Sequence, residues 1–418
     1  MNELFTQIDA LLNKRELKKV EVLIAKQLRT DPDTQLRAHL LLYRAKARLF
    51  GQHPDDALED IQTARALVPE ITANPEFKEL LADTYFARFE LSPVGFTERS
   101  DADHALSIYQ VIIDECPTYS NMGWVFYQKG RILLTANEPI AAIECLTEAL
   151  LKPSQATALT ALCYERLGFV HLSDQRDPVT ALSFFDRAAV TYPPSEPESW
   201  LGQLHILRSR ALRETGEYES ALDAAEQALQ IMENMGQEMR SGQQDAHLAL
   251  AEILAHIPGR EADAVSHLQQ FMQLGKKPLG VDVTWSKVNE LLGDMLFRTE
   301  RYEPAIEAYY NSLAFNPYHP WQASLYYQIA RCYYRLRAYE KTIASIQELA
   351  QAVSEESQQL TDYRVFHLLG NAYFALEDYI QAVTAYQKAV ELAPLQANDL
   401  DKIRTYLRFA EELNTSHA

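Results

Sequence analysis

The chain has 418 residues, with 39 Lys plus Arg against 58 Asp plus Glu and a formal net charge of −19. Such acidity argues against a general nucleic-acid or anionic-membrane binder, whose footprint is basic. Hydrophobic residues make up 47% and charged residues 23%, a globular composition that excludes wholesale disorder. The first residues, Met1 to Asp9, lack a basic stretch followed by an apolar core, and no uncharged apolar run approaches the ~20 residues of a membrane helix. The expectation is a soluble, cytoplasmic protein without membrane insertion.

Self-similarity organises the chain into predicted helix pairs. The first opens at Met1 and carries Leu4, Leu11, Val20 and Ile24 up to Pro32, with Lys14, Arg15, Lys18 and Lys19 around its turn. The second opens near Ala38 (Leu41, Ala45, Ala57, Ile61, Ala64, Pro69) and the third near Pro75 (Leu81, Ala82, Tyr85, Ala105, Tyr109, Pro117). A polar insertion at 90–103 separates the two helices of that third pair. Gly123 opens the fourth (Phe126, Gly130, Leu133, Ala142, Leu146, Ala149), Ala161 the fifth (Tyr164, Leu167, Gly168, Ala181, Phe185, Ala188) and Gly202 the sixth (Ser209, Leu212, Gly216, Tyr218, Ala221, Ala225, Ala228). The seventh starts near Gln244 (Ala251, Leu254, Ala264, Leu268) and the eighth near Ser286 (Leu292, Gly293, Leu296, Tyr302, Ala305, Tyr309, Ser312, Pro317). Ala323 opens the ninth (Tyr326, Ile329, Ala330, Tyr333, Tyr339, Ile346), and Tyr363 the tenth (Phe366, Leu369, Gly370, Tyr373, Tyr379, Ala382, Tyr386, Ala389, Pro394). Loop additions are expected at 234–242, 275–284 and 354–362. Beyond Pro394, Leu400, Ile403, Tyr406, Leu407 and Ala410 keep helical spacing, which predicts a capping helix.

The recurrence of small residues, aromatics and a closing proline at matched offsets in several units resembles the tetratricopeptide repeat, a helix–turn–helix unit of 34 residues. The resemblance implies an all-α fold: a right-handed superhelical solenoid of about ten repeats over 1–396, closed by a capping helix and tail over 397–418. One hairpin cannot bury its apolar face alone, so neighbours stack into a quasi-linear core. Gly370, with Gly168 and Gly293, is expected at a close helix–helix contact.

No catalytic constellation is found. Gly275-Lys276-Lys277-Pro278 lacks the frame of a phosphate loop, and GxGxxG, HExxH and GxSxG are absent. Cys116, Cys145, Cys163 and Cys332 are scattered without a CxxC pair, and the histidines are dispersed, so neither a metal nor a cofactor is expected. The reading is a non-enzymatic protein–protein interaction scaffold. The alternative is a regulatory solenoid whose superhelical pitch changes when a short peptide binds.

Family positions on the concave surface, carried onto the last three units, give Lys287, Glu290, Asp294, Phe297 and Arg298; Ser324, Tyr327, Arg331, Tyr334 and Arg335; Arg364, His367, Asn371, Phe374 and Ala375. Of these, Lys287, Arg298, Tyr327, Arg331, Tyr334, Arg335, Arg364, His367, Asn371 and Phe374 form the expected peptide groove. Arginine pairs with carboxylates bidentately and flat rings add apolar contact, which suits a protein or peptide partner with acidic segments. The third unit instead presents Glu76, Glu79, Asp83, Phe86 and Ala87, so the groove changes sign along its length. Self-association is a further expectation, since an edge unit resembles its own natural neighbour.

Overall fold

The computed structural model describes residues 2–92, 100–194, 196–355 and 362–417. Among them are α-helices, two short 3-10 helices and no strand. The chain divides into two compact units, Met1–Pro197 and Glu198–Ala418.

In the first unit five hairpins follow one another: α1 (Asn2–Asn13) with α2 (Leu17–Leu28), α3 (Thr34–Phe50) with α4 (Pro54–Leu67), α5 (Pro75–Leu91) with α6 (Ser100–Glu115), α7 (Met122–Thr135) with α8 (Pro139–Leu151), and α9 (Leu159–Ser173) with α10 (Pro178–Thr191). The second unit holds α11 (Glu198–Thr215) with α12 (Tyr218–Asn234), α13 (Arg240–Leu254) with α14 (Glu261–Leu274), α15 (Val283–Arg298) with α16 (Tyr302–Phe315), α17 (Gln322–Arg335) with α18 (Tyr339–Glu355), and α19 (Tyr363–Ala375) with α20 (Tyr379–Leu392). A final helix, α21 (Leu400–His417), packs Ile403 and Ala410 onto Ala382, Tyr386 and Ala389 of α20.

The hairpins share one turn chemistry. At the break between the two helices, Arg15, Gln52, Asn137, Arg176, Glu300, Arg337 and Glu377 adopt positive φ, as do Gly216 and Gly259 in α11–α12 and α13–α14. In most of these turns the following amide reaches back five residues, as in Glu138 N–H to Leu133 O (2.9 Å), Arg301 N–H to Leu296 O (2.9 Å) and Asp378 N–H to Tyr373 O (3.0 Å), whereas Asp177 N–H reaches His171 O (2.8 Å) and Arg260 N–H reaches Ile257 O (3.2 Å). This left-handed cap satisfies carbonyls that a helix end leaves open and turns the chain sharply. It costs a non-glycine residue about 1–2 kcal/mol, which the packing of the hairpin offsets.

Packing explains the small residues. Ala57, Ala142, Ala181, Ala221, Ala264, Ala305 and Ala382, all near the start of second helices, are completely buried. A Cβ on Gly168 would stand 2.6 Å from the Phe185 ring, on Gly293 2.6 Å from Tyr309, and on Gly370 2.6 Å from Tyr386. In each case the ring fills the space that glycine vacates on the facing helix.

Some boundaries differ from the sequence reading. Asp33 caps α3 by accepting Leu36 N–H at 2.8 Å, so this helix begins four residues ahead of Ala38. The connection at 234–242 is built around a 3-10 turn, Gly236–Met239, and α13 starts at Arg240. Within the insertion expected at 90–103, residues 93–99 lie outside the described residues, as do 356–361 in the connection before α19.

Candidate groove site

In the second unit the first helices of three successive hairpins border a cavity of about 680 Å³. Arg213 and Glu214 come from α11, Leu248 and Glu252 from α13, and Thr284, Lys287, Glu290, Leu291 and Asp294 from α15, with His256 at the adjoining turn. The expected groove residue Lys287 is thus on this wall. Arg298 is close by, donating Nη1–H to Ala255 O at 2.9 Å.

The carboxylates of this wall are held rather than free. Arg213 pairs with Glu252. Glu290 lies 3.2 Å from Nε2 of the buried His319, and Asp294 accepts the Tyr309 hydroxyl at 2.7 Å. Burial raises the pKa of both Glu290 and Asp294, against the downward pull of His319 on the first and of Tyr309, Arg298 and Arg331 on the second.

Next to this cavity is an aromatic–arginine station. The Arg331 guanidinium lies 4.4 Å over the Phe297 ring and 5.9 Å from that of Tyr327, and its Nη1–H donates to Gln328 Oε1 at 2.7 Å. Two aromatic faces and one fixed hydrogen bond restrict the rotamers of a side chain that is otherwise floppy. Among the described residues Arg331 makes no ion pair.

The first unit contains the same constellation. Asp83 accepts the Tyr109 hydroxyl, and Arg131 lies 4.8 Å over Phe86 and 5.9 Å from Tyr127 while donating to Gln128 Oε1 at 2.8 Å. Here, however, Arg131 is paired with Glu90. Asp83 also accepts Trp124 Nε1–H at 3.1 Å and Gln128 Nε2–H at 3.3 Å, and both oxygens of Glu79 accept from Asn121 Nδ2, at 2.9 and 3.0 Å. Burial, with the neighbouring Asp83 charge, pushes Glu79 up to about 8. Phe86, expected on the groove surface, is a core residue, 1% exposed.

The remaining groove candidates are largely occupied within the protein. Arg364 forms a bidentate bond to Asp362, the residue that also caps α19 (Nη2 to Oδ2, 2.7 Å). Asn371 Oδ1 accepts the Tyr386 hydroxyl at 2.8 Å. Nδ1 of His367 lies 3.5 Å from Asp399 Oδ2, and its buried Nε2 has no hydrogen-bond partner among the described residues. Tyr334 packs on Tyr339 and Phe374 on Tyr379, each at 5.6 Å between ring centroids. Arg335 is exposed. The two stations carry a written signature that the repeat offsets do not capture: Asp-x-x-Phe at 83–86 and 294–297, then Tyr-Gln-x-x-Arg at 127–131 and 327–331.

Within each unit, successive helical hairpins stack on one another among the described residues, the arrangement of a helical-repeat solenoid. Residues 363–394 match the tetratricopeptide repeat family model. The chain thus carries one stretch that matches the tetratricopeptide repeat, inside a helical-hairpin fold like that of tetratricopeptide-repeat solenoids. A search of curated proteins finds no match. Among solved structures, it is similar to a signal transduction ATPase with numerous domains and a tetratricopeptide repeat sensor from Pyrococcus horikoshii (14% identity, 89% of this chain and 55% of that one, TM-score 0.59). It is also similar to the C-terminal part of a repeat-containing protein from Cytophaga hutchinsonii (13%, 66% and 98%, 0.49) and to a chain of the APC/C hetero-tetramer Cut9–Hcn1 (14%, 96% and 82%, 0.43). Solenoids of this kind generally present their extended concave surface to other proteins. Among the described residues no helix is long and apolar enough to cross a membrane.

Proposed function

We propose that the protein is a non-enzymatic scaffold that holds an extended peptide segment of a partner along the wall of α11, α13, α15 and α17. The observation that carries this reading is Arg331, held between Phe297 and Tyr327 and making no ion pair among the described residues, while its counterpart Arg131 is neutralised by Glu90. A restricted guanidinium with unspent donors takes a carboxylate bidentately. The peptide therefore places an acidic residue opposite Arg331 and Arg335. The adjoining cavity, with Glu214, Glu290 and Asp294 in its wall, faces the uncharged or basic part of the same segment. Four unpaired cysteines agree with a reducing, cytoplasmic setting.

Crosslinking mass spectrometry on the full chain tests this: partner peptides should map to α15 and α17. Arg331→Glu combined with Arg335→Glu should lower capture of the crosslinked partner at least about tenfold, the scale of losing one charged pair. Full capture by that variant, with unchanged melting, would refute the assignment.

A further inference from the structure

Charge is distributed unevenly in the second unit. Between Asp263 and Glu290 the charged residues are Lys276, Lys277, Asp282 and Lys287, and from Ala308 to Ala330 there is no Asp, Glu, Lys or Arg at all. In a chain of net charge −19 with 23% charged residues, both segments are carboxylate-poor and the first is locally cationic. They are also neighbours in space. Asp282 N–H donates to Phe315 O at 2.8 Å, tying the α14–α15 connection to the end of α16. Beneath them Trp285 packs against Phe271 at 5.9 Å and Phe315 at 5.6 Å.

On this buried aromatic base stands a set of exposed apolar side chains. Leu279 is 108% exposed, Tyr318 89% and Trp321 66%, with Val281 and Val283 also more than half exposed. The sole carboxylate of the segment, Asp282, is committed to capping α15 through Trp285 N–H at 2.9 Å. An apolar cluster of this kind, rimmed by polar groups, marks an interaction surface.

We propose that this end of α14–α17 docks on the surface of a bilayer containing anionic lipid. Leu279, Val281 and Val283 enter the acyl boundary, Trp321 and Tyr318 sit at headgroup level, and Lys276 and Lys277 meet lipid phosphates. Indole and phenol rings prefer that interface because one end is apolar and the other polar. Each lysine near an anionic surface strengthens binding about fivefold. The acidity of the whole chain does not oppose this, because at physiological salt charges beyond a Debye length of about 8 Å are screened and the lysines dominate locally. Charge favours lipid over a second copy. Leu279 projects fully into solvent beside the exposed Lys276 and Lys277, which complement an anionic surface, whereas the same patch on a second copy would set like charges against each other.

The test is co-sedimentation of the full chain with vesicles of phosphatidylcholine alone or mixed with phosphatidylglycerol. Binding to the mixed vesicles should weaken with added salt. It should fall at least about tenfold in Lys276→Glu/Lys277→Glu, from the two lost lysine contributions, and similarly in Leu279→Asp/Trp321→Ser. Circular dichroism melting of both variants should match the parent, since every substituted side chain is exposed. Equal sedimentation with neutral and anionic vesicles, no binding to either, or variants that retain binding would each overturn the proposal. So would a patch variant that dissolves a dimer in light scattering while leaving vesicle binding intact, which would assign the surface to a second copy.

Discussion

Replacing Gly370 with alanine sets two effects of known size against each other. Alanine in a helix interior gains about 1 kcal/mol over glycine from lower backbone entropy. The added Cβ, however, would lie 2.6 Å from both Cδ1 and Cε1 of Tyr386, where carbon atoms prefer about 3.5–4.0 Å. The ring has little freedom to retreat. It is 1% exposed, its hydroxyl donates to Asn371 Oδ1 at 2.8 Å, and it stacks on Tyr406 of α21 at 6.1 Å. Overpacking of this sort costs about 1–3 kcal/mol, and loss of the hydroxyl bond adds about 1 kcal/mol. The expected outcome is a net destabilisation of about 1–3 kcal/mol, transmitted through Tyr406 to the capping helix. Repeat arrays can unfold in parts, so the assay is native-state hydrogen exchange at the amides of α19 to α21 rather than a single global midpoint. Tyr386→Leu in the Gly370→Ala background should relieve the clash, so the pair should cost less than the sum of the single changes. Unchanged or increased protection in Gly370→Ala, or strict additivity, would refute the claim that a close ring contact requires this glycine.

Two further outcomes concern the first unit. The folded pKa of Glu79, about 8, lies above its ordinary value of 4.5, so from pH 4.5 to 8 the unfolded chain releases a proton that the folded chain keeps, and this contribution falls as pH rises. Denaturation followed at Trp124 should show Glu79→Gln stabilising this unit at pH 8 relative to pH 5, by on the order of 2–4 kcal/mol; the same difference at both pH values would exclude the effect. Asp60, 3% exposed, accepts from Arg44 at 2.6 and 2.8 Å and pairs with Arg48 at 2.9 Å. Asp60→Ala should cost about 2–4 kcal/mol in urea unfolding, less than a fully buried pair because both arginines reach solvent; a cost under about 0.5 kcal/mol would show that the pair is no more than a surface bridge.

The solenoid was legible because stacking demands recur at every hairpin. Gly168, Gly293 and Gly370 share one offset, and each meets a ring, Phe185, Tyr309 or Tyr386, on its hairpin partner. What recurs, though, is a contact and not a helix boundary, which is why Ala38 and Gln244 fall inside α3 and α13 rather than at their starts. The turns were illegible for a different reason. In the described hairpin turns, Gly216 and Gly259 announce a left-handed residue and Asn137 suits one, whereas Arg15, Gln52 and Glu300 adopt the same φ under the constraint of the packed helices around them. Site residues were harder still, because a groove position on one helix does not reveal what an adjoining element offers it. Arg364 is taken by a cap residue two positions away, and Asn371 by the tyrosine of its own second helix.

The paired stations show how one repeat pattern yields two different electrostatic outcomes. Arg131 and Arg331 have equivalent aromatic beds and equivalent glutamine partners, so the local sequence treats them alike. Four residues beyond the bedding phenylalanine, however, Phe86 is followed by Glu90 and Phe297 by Arg301. In α5, which continues to Leu91, position 90 is still helical and its carboxylate reaches Arg131. In α15 the helix stops at Arg298 and Arg301 already lies in the turn before α16. One residue type and one turn of helix length therefore separate an arginine paired with a carboxylate from one that makes no ion pair among the described residues.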